Sequence, residues 1–561
     1  MGISVIRSLF HLFDIKPVIA RRHWARLRRL VRAHRALMSD SEAAAGHLNI
    51  TRMLFLQPLP IPSWGSFGIV PAPYDRHMET VVRQRISAKV LSSSLMPELM
   101  ASRHRPERPL VLPLPRTWRT FLAANGFRIN NFRSRLSLLI MQAGFLGGAC
   151  VRTWRLITSR ESGPTAPTAG YAVFVDAPRG VLPRTPEAYG RADGLVRWYM
   201  EGSLRLPDET AAWVINPGLA DQWQAYGITA ADGPLPPLKS VRQKLRFAAA
   251  AARILTIGTV VSGLGAWWVS ALLSEALLLA YIRCFERTEL ARTYLFNNSA
   301  YILRPLWTYY AEDCGCRVIM VFYSTNMQRL MWLDGTVSPV FPGNEIMTWS
   351  EYAVWNKEQQ DFLVEIGQTD ATYHLCGRVD IEDSGDALPK LPHNSVAVFD
   401  VAPFRPSALA RIGMAPPYYS ASTARQFIED VEAAIARAGL SMVTKSKREA
   451  GKAIDPSYMR YLAMLSEKGR LITAPPSVSV KRLAVDAVAA VTMPFSSAAI
   501  AAESLGVPSV YYDPTGLLAS LRPKQAASIQ VITNVTQLTD WLIAVATPPA
   551  TCAGTNRSLG E

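Results

Sequence analysis

Few of the usual signatures of chemistry occur in this chain. It has no Walker-type loop, no Gly-x-Gly-x-x-Gly, no Gly-x-Ser-x-Gly elbow and no His-Glu-x-x-His. Kinase, dehydrogenase, α/β-hydrolase and zinc-protease readings therefore lose their usual support. Cysteine is scarce, with six residues (Cys150, Cys284, Cys314, Cys316, Cys376 and Cys552) scattered over 561. A core of this size needs no disulfide staples, and Cys314-Gly-Cys316, the one close pair, lacks two further ligands nearby for a metal. We read the cysteines as free thiols in a reducing cytosol. Negative charge is also short. The 60 Lys+Arg against 44 Asp+Glu leave +16, which favours anionic partners such as nucleic acid, anionic lipid or sugar phosphates. Zinc-finger spacing, an RNA-recognition signature and a basic-aromatic repeat are all missing, so no nucleic-acid partner is expected.

What is present is a large apolar complement. Hydrophobic residues make up 49% and aromatics 9%, enough for globular folding, and the length implies at least two domains. Residues 1–35 carry nine Lys/Arg against Asp14, interleaved with Leu9, Phe10, Phe13, Trp24 and Leu27. No uninterrupted apolar core precedes a cleavage site, so this is not a secretory signal. We take 1–49 as a basic amphipathic extension suited to an anionic membrane face, or else a solvated basic helix. Residues 36–110 are broken by Pro58, Pro60, Pro62, Pro71, Pro73, Pro106 and Pro109, with Met53–Leu56 and 110–112 as candidate strands. Helical spacing runs from Trp118 to about Leu156. Strands are expected at 172–176, 212–215 and 317–323, the last ending in Ser324-Thr325-Asn326.

Residues 254–274 hold no charge and by length suffice to cross a bilayer. Gly258, Gly263 and Gly265 interrupt the run, and Trp267 and Trp268 lie inside it. A buried or membrane-surface helical hairpin, within an apolar segment 247–283, is the better expectation. Beyond residue 335 helices and strands alternate: helix 352–366, strand 373–377, strand 396–401, helix 423–438, strand 441–445, helix 456–468 and strand 471–474. This alternation predicts a doubly wound parallel sheet. The tail 546–561 is read as disordered.

The richest stretch is 485–513. A short apolar run ends at Met493-Pro494. Ser496 and Ser497 can cap a helix carrying Glu503, Gly506-Val507-Pro508 stops it, and Ser509–Tyr512 is the next strand, followed by Asp513. Hydroxyls, free N–H groups and a positive helix end at a sheet's carboxyl edge suit nucleotide phosphates. Lys445-Ser446-Lys447-Arg448 ends another strand, so at least one of these cations should face the same crevice, Lys445 being preferred. The alternative is a solvated loop.

This pattern resembles the donor half of GT-B-type glycosyltransferases that build bacterial surface polysaccharides, and it is similar to the CDP-glycerol glycerophosphotransferase and capsule polysaccharide group. The resemblance covers about 335–545. It implies two Rossmann-like domains facing a cleft, an acceptor-side domain of 50–330 and a nucleotide-sugar-binding domain of 335–545. It further implies a metal-independent transferase with no cofactor beyond its nucleotide-sugar substrate. Lys445, Lys447 and Arg448 would stabilise the leaving phosphate. Ser479 and Lys481 would lie beside base and phosphates, and Ser496 and Ser497 would cradle the phosphates. Glu503 would hold donor hydroxyls, and Gly377-Arg378 would sit on the hinge side. For the general base, Asp176 at its strand end is preferred, with Asp75, His77 and His374 behind it, although a strand-end Asp more often caps a turn. Asp400 also reaches a carboxyl edge, where an ion pair with Arg405 explains it equally well. No Asp-x-Asp pair stands in a fitting context, so no metal site is expected.

Two rival readings remain. One is a nucleotide-sugar 2-epimerase of related fold, the other a catalytically inactive scaffold of a polysaccharide assembly complex. For a transferase of this kind the resemblance implies a glycan or lipid-linked acceptor and a cytoplasmic location, peripheral on the inner face of the cell membrane. Residues 1–35 would supply the electrostatic contact and 254–274 the hydrophobic one.

Overall fold

The computed structural model describes residue 32 and residues 41–547, apart from 63–64, 93–97, 100–101, 103–108, 159–169, 176–181, 183–193, 216–220, 298–302, 326–329, 339, 341–342, 380–386, 407, 409–417, 447–452 and 520–528. Of the expected basic extension 1–49, residues 41–49 form the start of a helix and the rest, apart from Arg32, lies outside the described residues, as does the expected disordered tail from 548 on.

Helices α1 (Ser41–Leu56), α2 (Ala72–Asp75), α3 (Met78–Ser92), α4 (Arg116–Ala124) and α5 (Asn131–Ile157) precede the first sheet. Met53–Leu56, expected as a strand, is the last turn of α1, and Leu110 makes only an isolated bridge to Ile129. Short apolar runs fit either state, and a continuous helix from Ser41 decides it.

The first sheet is built from β1 (Gly170–Phe174), β2 (Glu209–Ile215) after helix α6 (Leu195–Glu201), and β3 (Ile228–Ala231). The apolar hairpin α7 (Val241–Gly263) and α8 (Trp267–Ile282) follows. Next come β4 (Thr293–Asn297), α9 (Leu306–Asp313), β5 (Arg317–Val321), the short β6 (Met331–Trp332), β7 (Glu351–Val354), α10 (Lys357–Glu365) and β8 (Thr372–Leu375). Among the described residues the strand order is β3-β2-β1-β4-β5-β7-β8, all parallel.

The second sheet contains β9 (Ser395–Phe399), β10 (Ser441–Lys445), β11 (Ile472–Ala474), β12 (Ala489–Thr492), β13 (Ser509–Tyr512) and, after the two-residue β14 (Leu518–Ala519), β15 (Val531–Ile532). Helices α11 (Ala421–Arg437), α12 (Pro456–Glu467), α13 (Val480–Ala484), α14 (Ser497–Glu503) and α15 (Val535–Ala546) cover its faces. The order is β11-β10-β9-β12-β13-β15, again parallel. Counting strands within each sheet, the first runs 3-2-1-4-5-6-7 and the second 3-2-1-4-5-6, the doubly wound order that leaves a crevice where the winding reverses. The expected α/β class with two Rossmann-like sheets is thus the observed one.

The border between the sheets corrects the sequence reading in two ways. Residues 352–354, expected in a helix of the second domain, belong to β7 of the first sheet, with Trp355 just beyond it, and the helix starts only at Lys357. Asn356 caps it, its side chain accepting from Gln359 N at 3.0 Å. Tyr352, Ala353, Val354 and Trp355 are all buried, and such a run, apolar on both faces, suits a central parallel strand. Conversely, β6 pairs antiparallel with β14, and Leu330 packs in the second domain's core. The chain therefore touches the second domain, returns to finish the first sheet, and only then departs. No single boundary at 330–335 describes it.

The hairpin α7–α8 divides the uncharged run 254–274, so the run makes no single span. Helix α8 is apolar on every side and buried nearly throughout, as a helix without a polar face must be. It lies against the sheet face formed by Tyr171, Val173 and Trp213. Gly258 lets α7 approach α8 closely: a Cβ there would sit 2.2 Å from Leu273 Cδ2. The one acidic residue on α8, Glu275, accepts from Arg85 Nη1 at 2.8 Å and from Leu306 N at 3.0 Å. It thereby ties α3 and the start of α9 to the hairpin. Burial draws the Arg85 guanidinium below its ordinary pKa, and Glu275 opposes that shift. Glu275→Leu leaves Arg85 inside without its carboxylate and should cost about 3 kcal/mol, whereas Arg85→Met/Glu275→Leu should recover most of it. Denaturant midpoints of the three proteins measure this; equal losses in the single and double variants would contradict it.

Candidate functional site

The carboxyl ends of six strands meet between the two sheets and enclose a cavity of about 200 Å³. From the first domain come Tyr323 and Ser324 beyond β5, Trp355 beyond β7, and Arg378 beyond β8. From the second come Asp400 beyond β9, Lys445 at the end of β10, and Ser496 and Ser497 beyond β12. Ser479 and Lys481 close it from α13. The cavity lies at the reversal between β9 and β12, where doubly wound sheets take their ligands. The two domains also touch here, since Ala501 on α14 is buried in a cluster with Phe174, Leu295 and Trp355.

The second-domain wall rests on one tight turn. Buried strand β12 stops at Pro494, and Phe495 adopts φ +59°, a left-handed conformation disfavoured for a residue with a large side chain. The turn places Ser496 at the N-cap of α14, but its side chain makes no cap bond. Its hydroxyl oxygen is buried without a hydrogen-bond partner while Ser496 lines the cavity. Capping was the expected role; the structure leaves this hydroxyl for whatever fills the space.

Lys445 is 7% exposed at the end of β10, paired in register with Phe399 and Ala474. Next to it, Asp400 is 4% exposed and accepts from the buried Tyr458 hydroxyl. Burial, reinforced by Asp400, holds that phenol well above its ordinary pKa, so it stays a donor. Ser479 is buried and caps α13, its Oγ accepting from Arg482 N at 3.2 Å, while Lys481 stands exposed at the mouth. Gly377 takes φ +65°, which turns the chain out of β8 and carries Arg378 to the cavity.

Of the residues expected from sequence, Lys445, Ser479, Lys481, Ser496, Ser497 and Arg378 are thus brought together. Gly377 adjoins the cavity through Arg378 without lining it. Glu503 ends α14, about 9 Å of helix beyond Ser497, and does not line the cavity; its charge is felt by Tyr511, whose pKa rises chiefly through burial. Asp176, Lys447 and Arg448 lie outside the described residues. Asp513, at the end of β13, is structural: it accepts from Tyr418 Oη at 2.7 Å, Thr515 N at 2.9 Å and Leu518 N at 2.9 Å. The sequence reading overlooked Trp355, hidden inside a helix assigned too early, and the strain at Phe495, which no residue type announces.

The reserve candidates for a base fall elsewhere. His374 sits 2.8 Å from Glu351 Oε2 and 3.5 Å from Arg317 Nη2, residues that open β7 and β5 at the sheet's amino side. Asp75 lies on α2, and His77 stacks on Tyr309 at 3.7 Å between ring centroids; neither lines the cavity. The thiols of Cys314 and Cys316 are free, and among the described residues no cluster of three His, Cys, Asp or Glu is placed to hold a metal ion.

The family description "Polysaccharide biosynthesis PFTS motif protein" matches residues 252–542. That is just over half of the chain, which belongs to this family. The turn Pro494-Phe495-Ser496-Ser497 lies within the matched residues. No curated protein matches. Among solved structures the chain is similar to UGT71G1 of Medicago truncatula complexed with UDP-glucose, at 11% identity and a TM-score of 0.33, covering 68% of this chain and 91% of that one. It is also similar to the UDP-GlcNAc 2-epimerase of Methanocaldococcus jannaschii, at 9% identity and a TM-score of 0.33, covering 68% and 93%.

His77 offers a pH test of the first domain. Burial, then the charges of Arg76 and Arg304, lowers its pKa to about 4, with Asp313 pulling the other way. Arg76 Nε donates to His77 Nε2 at 3.0 Å, a bond that requires the neutral ring. An unfolded His titrates near 6.5, so the fold prefers the neutral form. That contribution is fully present above about pH 6.5 and is lost as pH falls toward 4. His77→Phe, which keeps the stack, should therefore gain on wild type in denaturant midpoint between pH 7 and pH 4.5. Parallel pH curves would show that His77 is not held neutral.

Proposed function

We propose that the protein is a GT-B-type, metal-independent glycosyltransferase. It moves a sugar from a nucleotide-activated donor to a surface polysaccharide or a lipid-linked acceptor on the cytoplasmic face of the cell membrane. Membership of a polysaccharide biosynthesis family supplies the pathway class. The observation that carries the reading is the cavity at the second sheet's switch point, where buried Lys445 and the unpartnered Ser496 hydroxyl face the same space.

A leaving nucleoside diphosphate gains negative charge as the sugar–phosphate bond breaks. Cations and donors fixed in a low-dielectric site stabilise that charge without reorganising. In this reading Lys445, Arg378 and Ser496 bind the departing phosphates, Ser497 and Lys481 hold the mouth, and Lys447 and Arg448 add charge from the loop after β10. Glu503 then meets hydroxyls of a donor extended along α14. Asp176 is our candidate for the base that deprotonates the acceptor. It follows β1, which lies beside β4 at the first sheet's own switch point. The epimerase alternative needs paired acids and a His around the sugar ring; Asp400 is the one acidic residue and no His is found among the described residues lining the cavity.

A thermal-shift screen of UDP-, CDP- and GDP-linked sugars should give selective stabilisation. Lys445→Ala should lose a charge-assisted contact of about 1.5–3 kcal/mol, roughly tenfold or more in donor affinity. Glu503→Gln should weaken the intact donor more than the free diphosphate-bearing nucleotide stripped of its ribose hydroxyls. Folded variants that bind and transfer as wild type does would refute the site assignment, and no selective ligand at all would favour the scaffold.

A further inference from the structure

We infer that α5 and α7 form a docking face for an anionic lipid surface, on which the protein lies without crossing. The inference rests on the reading of a membrane-linked acceptor and names the surface that meets it. The sequence reading assigned the hydrophobic contact to 254–274, but α8 takes the last part of that stretch, from Trp267 on, into the core. The apolar surface left outside is on α5, which has 27 residues and few of them buried.

Phe132 is 79% exposed and Ile140 67%. With Leu136, Val151 and Trp154, also exposed, they fall on one face of the helix in two groups, separated by the small residues Ala143, Gly144, Gly147 and Gly148. Helix α7 lies beside α5, and both pack on α8. At the ends of α7, Val241 and Leu264 are exposed, Leu264 at 83%. A patch of this extent is unusual on a protein that meets only water.

Charge selects the occupant. Helix α5 carries Arg133 and Arg135 near its start and Arg152 and Arg155 near its end; α7 carries Arg242, Lys244, Arg246 and Arg253. Neither helix contains an Asp or a Glu. An apolar strip with cations at its ends suits the boundary between acyl chains and anionic headgroups. A second copy of the same face would set arginines against arginines, and the basic residues 1–35 of this chain would be repelled likewise.

Both α5 and α7 are long and apolar enough to cross a bilayer, but connectivity argues against a span. The chain before α5 is fastened to the first domain by Tyr74 Oη donating to Asp313 at 2.7 Å and by Arg85 with Glu275, and the chain after it enters β1. Both ends of α5 therefore belong to one body on one side of any bilayer. Helix α7 runs from β3 to α8 within the same body. The layer covers a face of the first sheet, whereas the cavity opens at the carboxyl edges, so docking leaves the cavity accessible.

The test uses the full chain with phosphatidylcholine vesicles, with or without 30% phosphatidylglycerol, at low and high salt. We expect sedimentation with the anionic vesicles at low salt and release at high salt. Leu136→Ser/Ile140→Ser/Trp154→Ser, which alters only exposed side chains and keeps residues 1–35, should lower vesicle affinity at least tenfold with an unchanged melting temperature. Equal binding to neutral vesicles, unaltered binding by the triple variant, or a solution dimer that this variant breaks into monomers would each overturn the proposal. Nucleotide-sugar stabilisation of the same variant is read in parallel. If it persists while vesicle binding never occurs, the docking face is wrong and the transferase reading stands; loss of donor response with vesicle binding intact is the converse.

Discussion

Helix α8 has no polar face, and the rest of the first domain is arranged around that constraint. A helix apolar on all sides must be covered on all sides, and here one side is covered by the sheet and the others by α3, α5, α7 and α9. The close approach at Gly258 and the buried Glu275–Arg85 contact lock this layer. With so much of the helical complement spent on one face, α6 and the turns near it cover the other. The carboxyl edge is left for the second domain.

What the second domain presents at that edge is costly to keep. A lysine almost wholly withdrawn from water, a left-handed Phe495 and a buried hydroxyl without a partner each work against folding. Lys445 and Ser496 line one cavity at a switch point, and two of these costs fall on neighbouring residues of one turn, Phe495 and Ser496. A buried hydroxyl left open toward a cavity at a switch point fits the proposed ligand site better than a structural joint. In the same domain Asp513, equally buried, is fully occupied by Tyr418, Thr515 and Leu518. The contrast separates a carboxylate that holds the fold from the Ser496 hydroxyl, which faces the space.

Much of the second domain was legible in the sequence, because its strands are short apolar runs between Gly and Pro stops. Strand 441–445 and helix 456–467 fall almost where the residue pattern puts them. The switch-point turn was legible too, through Pro494 and the paired serines. Other features were not, for physical reasons. Tyr352–Trp355 reads equally as strand or helix until its neighbour β5 supplies a ladder. The domain border is invisible locally because β6 crosses to pair with β14, far along the chain. The exposure of α5 could not be foreseen, since an apolar stripe predicts burial and only the packing shows that α8 has taken the interior. Glu503 was joined to the site by resemblance; its position at the far end of α14 is a matter of helix length.

The central claim is that a nucleotide diphosphate occupies the crevice between β9 and β12. Photoaffinity labelling with azido analogues of uridine, cytidine and guanosine diphosphate, followed by peptide mapping, addresses it directly. The account predicts that one analogue labels peptides containing 441–446, 476–484 or 494–503, and that the matching unmodified nucleotide competes. Labelling confined to the first domain's outer helices, or label that the nucleotide cannot displace, would contradict it.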